Sequence, residues 1–123
     1  MEVAFSSLYG VTRHSIQRLK QRFIGKESKG RNRWADVFQV MKRDSLRDWD
    51  TAIQKYLKES AQQGQILIDY KQHRYILNED MLLVCVKVKK GLFTIKTVFP
   101  WGEEEELSIQ SLIYATDRNS IEV

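Results

Sequence analysis

The stretch from Ile66 to Phe99, ILIDYKQHRYILNEDMLLVCVKVKKGLFTIKTVF, decides the fold because its apolar residues recur with a period of two. Four runs within it are rich in β-branched and aromatic residues, which favour strands: residues 66–70, 73–77, 81–88 and 92–99. The linkers KQ, NED and KKG have lengths typical of hairpins. The sequence therefore predicts a four-stranded antiparallel meander over residues 66–100.

Strict alternation in the last run predicts which side chains share a face of the sheet. One predicted face carries Phe93, Ile95, Thr97 and Phe99. The other carries Thr94, Lys96 and Val98. The first of these faces is mostly apolar, so we expect it to pack against the helices.

The residues before the meander show helical periodicity. Thr12 is a predicted N-cap, and Ile16, Leu19 and Phe23 then form an apolar stripe that Gly25 ends. The polar stretch KESKGRN, residues 26–32, predicts a loop.

A second amphipathic region runs from Arg33 to about Ala61. Ser45 followed three residues later by Asp48 resembles a capping pair, which favours two helices meeting at Asp44. One long helix is the alternative.

These patterns predict an α+β fold in which two or three N-terminal helices pack on one face of a four-stranded, mostly antiparallel sheet. The length of 123 residues is typical of a single domain. Within it we expect a helical part over residues 11–62, the meander over 66–100, and a short C-terminal element and tail over 103–123.

Composition indicates an ordered, soluble protein, with 42% hydrophobic and 29% charged residues. No apolar run approaches the ~20 residues that a membrane-spanning helix needs, and no basic leader precedes an apolar block as in a signal peptide. Cys85 is the single cysteine, so no intramolecular disulfide can form. We expect a cytoplasmic protein without a membrane partner. Cys85 itself is predicted to be a small core residue.

Charge is unevenly distributed although the net charge is only +4. Residues 13–43 carry ten Lys and Arg against two acids, whereas residues 102–106 read GEEEE. The basic segment is suited to attract phosphates, and the acidic run to repel them. Ordinary solvated faces are the alternative interpretation.

The basic segment contains VTRHSIQRLKQRF, residues 11–23, in which His14, Arg18 and Arg22 recur every fourth residue. On a helix these three span about 80° and lie about 130° from the apolar stripe. An imidazole transfers protons near neutral pH, and guanidinium groups bind phosphate oxygens in a planar fork. Such groups can cleave a phosphodiester without metal: a base for the ribose 2′-hydroxyl, an acid for the leaving 5′ oxygen, and cations for the charge on phosphorus. A merely solvated helix face is the alternative.

Two motifs resemble a known family. A helix that reads Thr-x-His-x-x-x-Arg-x-x-x-Arg, followed by an antiparallel sheet whose last strand reads IKTVFPW, resembles small bacterial RelE-like proteins of the barnase-like and colicin-type ribonuclease superfamily. The resemblance covers residues 11–23 and 81–101. It implies a metal-independent endoribonuclease, a bacterial or phage or plasmid toxin, with RNA and an antidote protein or a host protein as partners. The motif positions implied as catalytic are His14, Arg18, Arg22 and Thr97.

This chain also departs from the family pattern. Ser15 stands where alanine is usual, the helical region 33–61 is long for the group, and no dense basic or histidine-rich cluster lies near the C-terminus.

Three further residues are candidates for substrate binding. His73 and Arg74 begin the second predicted strand, and Lys96 lies in the last one. Each has a simpler interpretation as a solvated strand residue. Two histidines and one cysteine give no zinc-type spacing, and neither a Gly-rich phosphate loop nor G-x-S-x-G occurs, so we expect no metal and no cofactor.

The alternative function is a non-catalytic nucleic-acid-binding or protein-binding regulator or inhibitor of phage or plasmid origin. The aromatic residues Trp34, Phe38, Trp49 and Tyr56 could form a partner-binding groove, although they serve equally well as core. The two functions differ in whether His14 is required, because a binding module would tolerate His14→Ala.

Overall fold

The computed structural model describes residues 7–23, 27–28 and 31–101. Over these residues the chain is α+β, with three helices and a five-stranded mixed sheet. The elements in chain order are β1 (Leu8–Val11), α1 (Arg13–Arg22), β2 (Glu27–Ser28), β3 (Arg31–Asn32), α2 (Arg33–Arg43), α3 (Trp49–Gln63), β4 (Gln65–Tyr70), β5 (His73–Asn78), β6 (Met81–Lys89) and β7 (Leu92–Pro100). The predicted helix terminator Gly25 and the predicted element over 103–123 lie outside the described residues.

The large sheet has the strand order β1-β7-β6-β5-β4. The predicted meander is confirmed, since β4 to β7 pair antiparallel with their neighbours in sequence. The predicted strand count is wrong, because β1 adds a fifth strand that runs parallel to β7, with Leu8 opposite Leu92 and Val11 opposite Ile95. The four residues LYGV are too short for periodicity to reveal a strand, and their partner lies more than 80 residues away.

Helix α1 begins where it was predicted. Thr12 is the N-cap, and its Oγ1 accepts a hydrogen bond from the Ser15 N–H at 3.1 Å. The helix runs to Arg22, with Phe23 at the C-cap. A two-residue ladder between β2 and β3 follows, within the segment predicted as a loop.

The region after residue 32 forms two helices, as favoured by the sequence. Asn32 caps α2, accepting hydrogen bonds from the N–H groups of residues 34 and 35. The predicted cap of α3 is wrong. Asp48 is the N-cap, with its Oδ1 2.8 Å from the Thr51 nitrogen, whereas Ser45 lies in the turn after α2 with φ of 55°. Ser and Asp are both good N-caps. Because Ser45 lies in the left-handed turn, the helix begins after Asp48 instead.

One hydrophobic core joins the three helices to one face of the sheet. Each helix contributes fully buried side chains, among them Leu19 from α1, Val37 from α2 and Ile53 from α3. The sheet contributes Leu83 and Ile95 opposite them. A Leu or Ile buried in this way contributes about 1.5–3 kcal/mol relative to exposure.

A β-bulge interrupts β7. Thr97 pairs with Val84, and Ile95 pairs with the next residue of β6, so Lys96 is the extra residue. The predicted alternation is therefore wrong beyond Ile95. Val98 is buried in the core, whereas Phe99 is 38% exposed. The bulge leaves Lys96 exposed beside the sheet edge.

Strand β1 ends at Val11, and α1 continues along the part of β7 that β1 leaves uncovered. Thr12 donates to the Ile95 carbonyl oxygen through its backbone N–H (3.3 Å) and through Oγ1 (2.9 Å). At the other end of α1, Arg22 donates to the Val98 carbonyl oxygen. The predicted catalytic helix therefore lies along the edge of the last strand. Among the described residues, no helix is long and apolar enough to cross a membrane.

Candidate functional site

His14 and Arg18 form a side-chain pair on α1. The Arg18 Nε donates to the His14 Nε2 at 3.2 Å, and its Nη1 donates to the Gln21 Oε1 at 2.7 Å. His14 is exposed and Arg18 is half-buried. In this contact Nε2 is the acceptor, so its lone pair faces the Arg18 guanidinium. The pair therefore presents a basic nitrogen next to a fixed positive charge.

Arg22, one turn further along α1, reaches over the edge of β7. Its Nη1 lies 2.8 Å from the Val98 carbonyl oxygen, and its guanidinium carbon lies 4.4 Å from the centroid of the Phe99 ring. Both contacts hold the end of α1 against the sheet. A guanidinium has five N–H donors, and the Val98 contact uses one of them.

Lys96 and Thr97 lie in the part of β7 that α1 follows, between the Ile95 carbonyl oxygen bonded to Thr12 and the Val98 carbonyl oxygen bonded to Arg22. Lys96 is exposed, and its carbonyl oxygen is 3.4 Å from Oγ1 of Thr12, the N-cap of α1. Thr97 is half-buried and lies on the sheet face opposite the core, paired with Val84. These residues share the edge that α1 follows.

Arg74 lies away from this row, on the core face of β5. It is 8% exposed and donates to Ser7, to Tyr9 and to Asp69 at 2.9 Å each. Its guanidinium carbon also lies 3.9 Å from the centroid of the Phe93 ring. Burial alone would lower the pKa of Arg74, but the hydrogen bonds to Asp69 and Tyr9 raise it. The arginine connects β5 to the first strand beneath the helices.

His73 is on the opposite face of β5, and β6 separates β5 from β7 and from the edge strand β1. It is half-buried, and its Nδ1 is buried without a hydrogen-bond partner among the described residues. The structure therefore does not bring either His73 or Arg74 to the edge where His14 lies.

Two segments that include the row and the strands beside it contain no carboxylate. Residues 7–23 and 86–101, which form β1, α1 and the hairpin of β6 and β7, include no Asp or Glu. We call them the acid-free surface. Its eight cations are Arg13, Arg18, Lys20, Arg22, Lys87, Lys89, Lys90 and Lys96. Among the described residues, one ion pair reaches them, between Lys20 and Asp50 at 2.5 Å.

Three of these cations, Lys87, Lys89 and Lys90, were not predicted from the sequence. The basic segment over residues 13–43 was recognised from charges that are close along the chain, and the hairpin lies far from it. The available signal was that residues 7–23 and 86–101 both lack Asp and Glu. Pairing of β1 with β7 joins them, and that pairing was not predicted.

A cavity of about 380 Å³ lies between α2, α3 and the end of β5, away from the row, and its lining includes Asp36, Tyr56 and Glu59. No group of three His, Cys, Asp or Glu side chains in the described part of the chain is arranged to hold a metal ion.

Cys85 has the environment predicted for it. The side chain is fully buried in the core, and burial raises the pKa of its thiol to about 12. A thiol with so high a pKa is a poor nucleophile near neutral pH.

The aromatic residues form a cluster at the junction of α2 and α3. The rings of Trp34 and Trp49 stack with centroids 3.8 Å apart, and Phe38, which is 43% exposed, lies 6.0 Å from Trp49. Tyr56 instead is buried and accepts a hydrogen bond from Arg33. The predicted groove residues therefore divide between the surface and the interior.

Comparison with protein-family models, with curated proteins and with solved structures finds no match to this chain. The proposed function therefore depends on the two sequence motifs and on the geometry described above.

Proposed function

We propose that this protein is a metal-independent endoribonuclease of the RelE-like kind, a toxin of bacterial, phage or plasmid origin. The observation that carries the proposal is the His14–Arg18 hydrogen bond on the acid-free surface. It places an imidazole nitrogen beside a guanidinium, where no carboxylate of residues 7–23 and 86–101 competes for a phosphate.

The proposed reaction begins when a phosphate takes the place of His14 as the partner of Arg18. The freed Nε2 of His14 removes the proton from the ribose 2′-hydroxyl, and the 2′ oxygen attacks the adjacent phosphorus. The bond from phosphorus to the 5′ oxygen breaks, and that oxygen takes up a proton. The products are a 2′,3′-cyclic phosphate and a free 5′-hydroxyl.

The neighbouring residues have distinct proposed roles. Arg18 and Arg22 bind the phosphate oxygens and stabilise the charge that develops on them. Lys96, the exposed ammonium beside the start of α1, is the candidate proton donor for the 5′ oxygen. Thr97 is assigned by its match to the strand motif, as a contact to the substrate. An antidote protein would be expected to cover this edge.

A non-catalytic nucleic-acid-binding protein is the second candidate. It is favoured by the contacts of Arg22, whose bonds to Val98 and Phe99 stabilise the fold and so explain the residue without catalysis. The acid-free surface would then bind phosphates without turnover.

Tightly induced expression in a bacterial host tests the proposal. We expect growth arrest and fragmentation of total RNA with the wild type, and neither with His14→Ala at equal soluble protein. His73→Ala is the matched control, because it removes the other histidine far from the edge. Equal arrest by His14→Ala and the wild type would contradict the assignment of His14.

A further inference from the structure

The hairpin between β6 and β7 carries a cluster of cations. Lys87, Lys89 and Lys90 are exposed and make no ion pair with the described residues. Val88, between them, is 61% exposed. Because all four side chains are exposed, packing in the core does not explain them.

The turn itself is well defined. Gly91 has φ of 78°, a conformation that side chains rarely adopt. Its carbonyl oxygen accepts a hydrogen bond from the Leu8 N–H at 2.9 Å, which ties the turn to the start of β1. Leu8 is 66% exposed and adds a second apolar side chain at this end of the sheet.

Strand β7 connects the turn directly to the proposed catalytic row. Leu92 lies at the turn, Lys96 lies beside the start of α1, and Val98 receives the hydrogen bond from Arg22. From Leu92 to Val98 the distance along the strand is about 20 Å at ~3.3 Å per residue. Lys90 precedes this line, Arg22 contacts its far end at Val98, Lys96 lies two residues before that end, and no acid interrupts it.

A linear arrangement of this kind fits an extended polyanion. Proteins that bind single-stranded nucleic acid combine cations that follow the backbone with aromatic side chains on which bases stack, over sites of about 4–16 nucleotides. Attack by a 2′ oxygen also requires a flexible backbone that can bring the oxygen in line with the leaving group. A duplex restricts that motion.

We propose that the β6–β7 hairpin is a phosphate-binding arm, which holds a single-stranded RNA along β7 so that one phosphodiester reaches His14. This inference rests on the proposed function, because it concerns how the same site holds its substrate. Lys87, Lys89 and Lys90 contact phosphates away from the bond that is cleaved. They contribute affinity for long substrates and take no part in bond breaking.

Binding is measured by fluorescence anisotropy with a labelled single-stranded RNA of about 16 nucleotides, the upper end of such site sizes. All proteins carry His14→Ala, so that cleavage does not interfere. The test protein adds Lys87→Gln, Lys89→Gln and Lys90→Gln. The control protein adds Lys42→Gln, Lys55→Gln and Lys58→Gln, which make the same charge change on α2 and α3.

We expect the hairpin variant to bind about tenfold to a hundredfold more weakly at low salt, with a slope of log affinity against log salt that is smaller by about 2. The control variant should stay close to the parent in both quantities. Equal behaviour of the two variants, or an unchanged slope in the hairpin variant, would overturn the proposal. The proposal would also be overturned if the three hairpin lysines contributed more to the binding of anionic phospholipid vesicles than to the binding of the RNA.

The result of this binding experiment can be separated from the test of the proposed function. Binding uses the His14→Ala protein and is read without turnover. Cleavage is measured separately with His14 present, on the same RNA and on a dinucleotide. If cleavage occurs, the hairpin substitutions should lower kcat/KM for the long RNA and leave the dinucleotide unchanged. Equal losses on both substrates would contradict a role remote from the cleaved bond.

Discussion

Arg22 donates a hydrogen bond from Nη1 to the carbonyl oxygen of Val98, in the part of β7 that β1 leaves uncovered. The contact anchors the C-terminal end of α1 to the sheet edge. His14 and Arg18 form their side-chain hydrogen bonds within α1 instead. Residues of one periodic row therefore differ in how much the fold depends on them.

Arg22→Ala should lower the free energy of unfolding by about 1–3 kcal/mol, because it removes a charged hydrogen bond and the contact with the Phe99 ring. Arg18→Ala should change it by less than about 0.5 kcal/mol, as expected for a surface substitution. Urea unfolding measures both. If the two variants lost equal stability, Arg22 would not be an anchor.

Arg33 and Asp80 form a buried ion pair, with side chains 1% and 3% exposed. Arg33 also donates to Tyr56 and to the Asn78 carbonyl oxygen. Arg33→Met should destabilise the protein by about 3–5 kcal/mol, because it leaves a carboxylate buried without its partner. The double variant Arg33→Met with Asp80→Leu should recover part of that loss in denaturant unfolding. A double variant less stable than Arg33→Met alone would show that the stranded carboxylate is not the cause.

Cys85 should not react with a thiol reagent in the folded protein. Burial raises the pKa of its thiol to about 12, so the reactive thiolate is scarce at pH 7 to 9 and the sulfur is also inaccessible. The modification rate should follow the rate of unfolding as urea increases. Rapid modification in native buffer, independent of urea, would contradict this.

Asp44 should make stability depend on pH in the acid range. Hydrogen bonds from Arg43 and then from Lys55 hold the pKa of its carboxyl well below the ordinary value of 3.8. A folded-state pKa below the unfolded one stabilises the folded state above about pH 4, and the contribution is lost as pH falls through the folded value.

The comparison with Asp44→Asn isolates this effect. We expect the urea midpoint of the variant to be lower than that of the wild type at pH 7 and at pH 5, and the difference to narrow below pH 4. A difference that stays constant down to pH 2.5 would contradict the assignment to the Asp44 carboxyl.

The sequence predicted features that depend on local periodicity. The meander, α1 with its Thr12 cap, and the break between α2 and α3 follow from patterns within about 15 residues, and the structure confirms them. Contacts between distant segments could not be predicted in the same way. Strand β1 was missed because its hydrogen bonds go to β7, far along the chain.

The same distinction applies to the site. The spacing of His14, Arg18 and Arg22 predicted that they share one side of a helix. It did not predict that Arg22 would donate a hydrogen bond to the sheet. One extra residue, Lys96, shifted Thr97 away from the core face that alternation predicted. Arg74 was placed at a strand start, and only the packed sheet brings it to Tyr9.

Cleavage of a defined single-stranded RNA by the purified protein, in the presence of a metal chelator, tests the central claim most directly. We expect fragments ending in a 2′,3′-cyclic phosphate, no cleavage at a 2′-deoxy position, and a rate about 10²–10⁴-fold lower for His14→Ala than for His73→Ala. Cleavage that requires a divalent metal, or equal rates for the two histidine variants, would contradict an active site at His14.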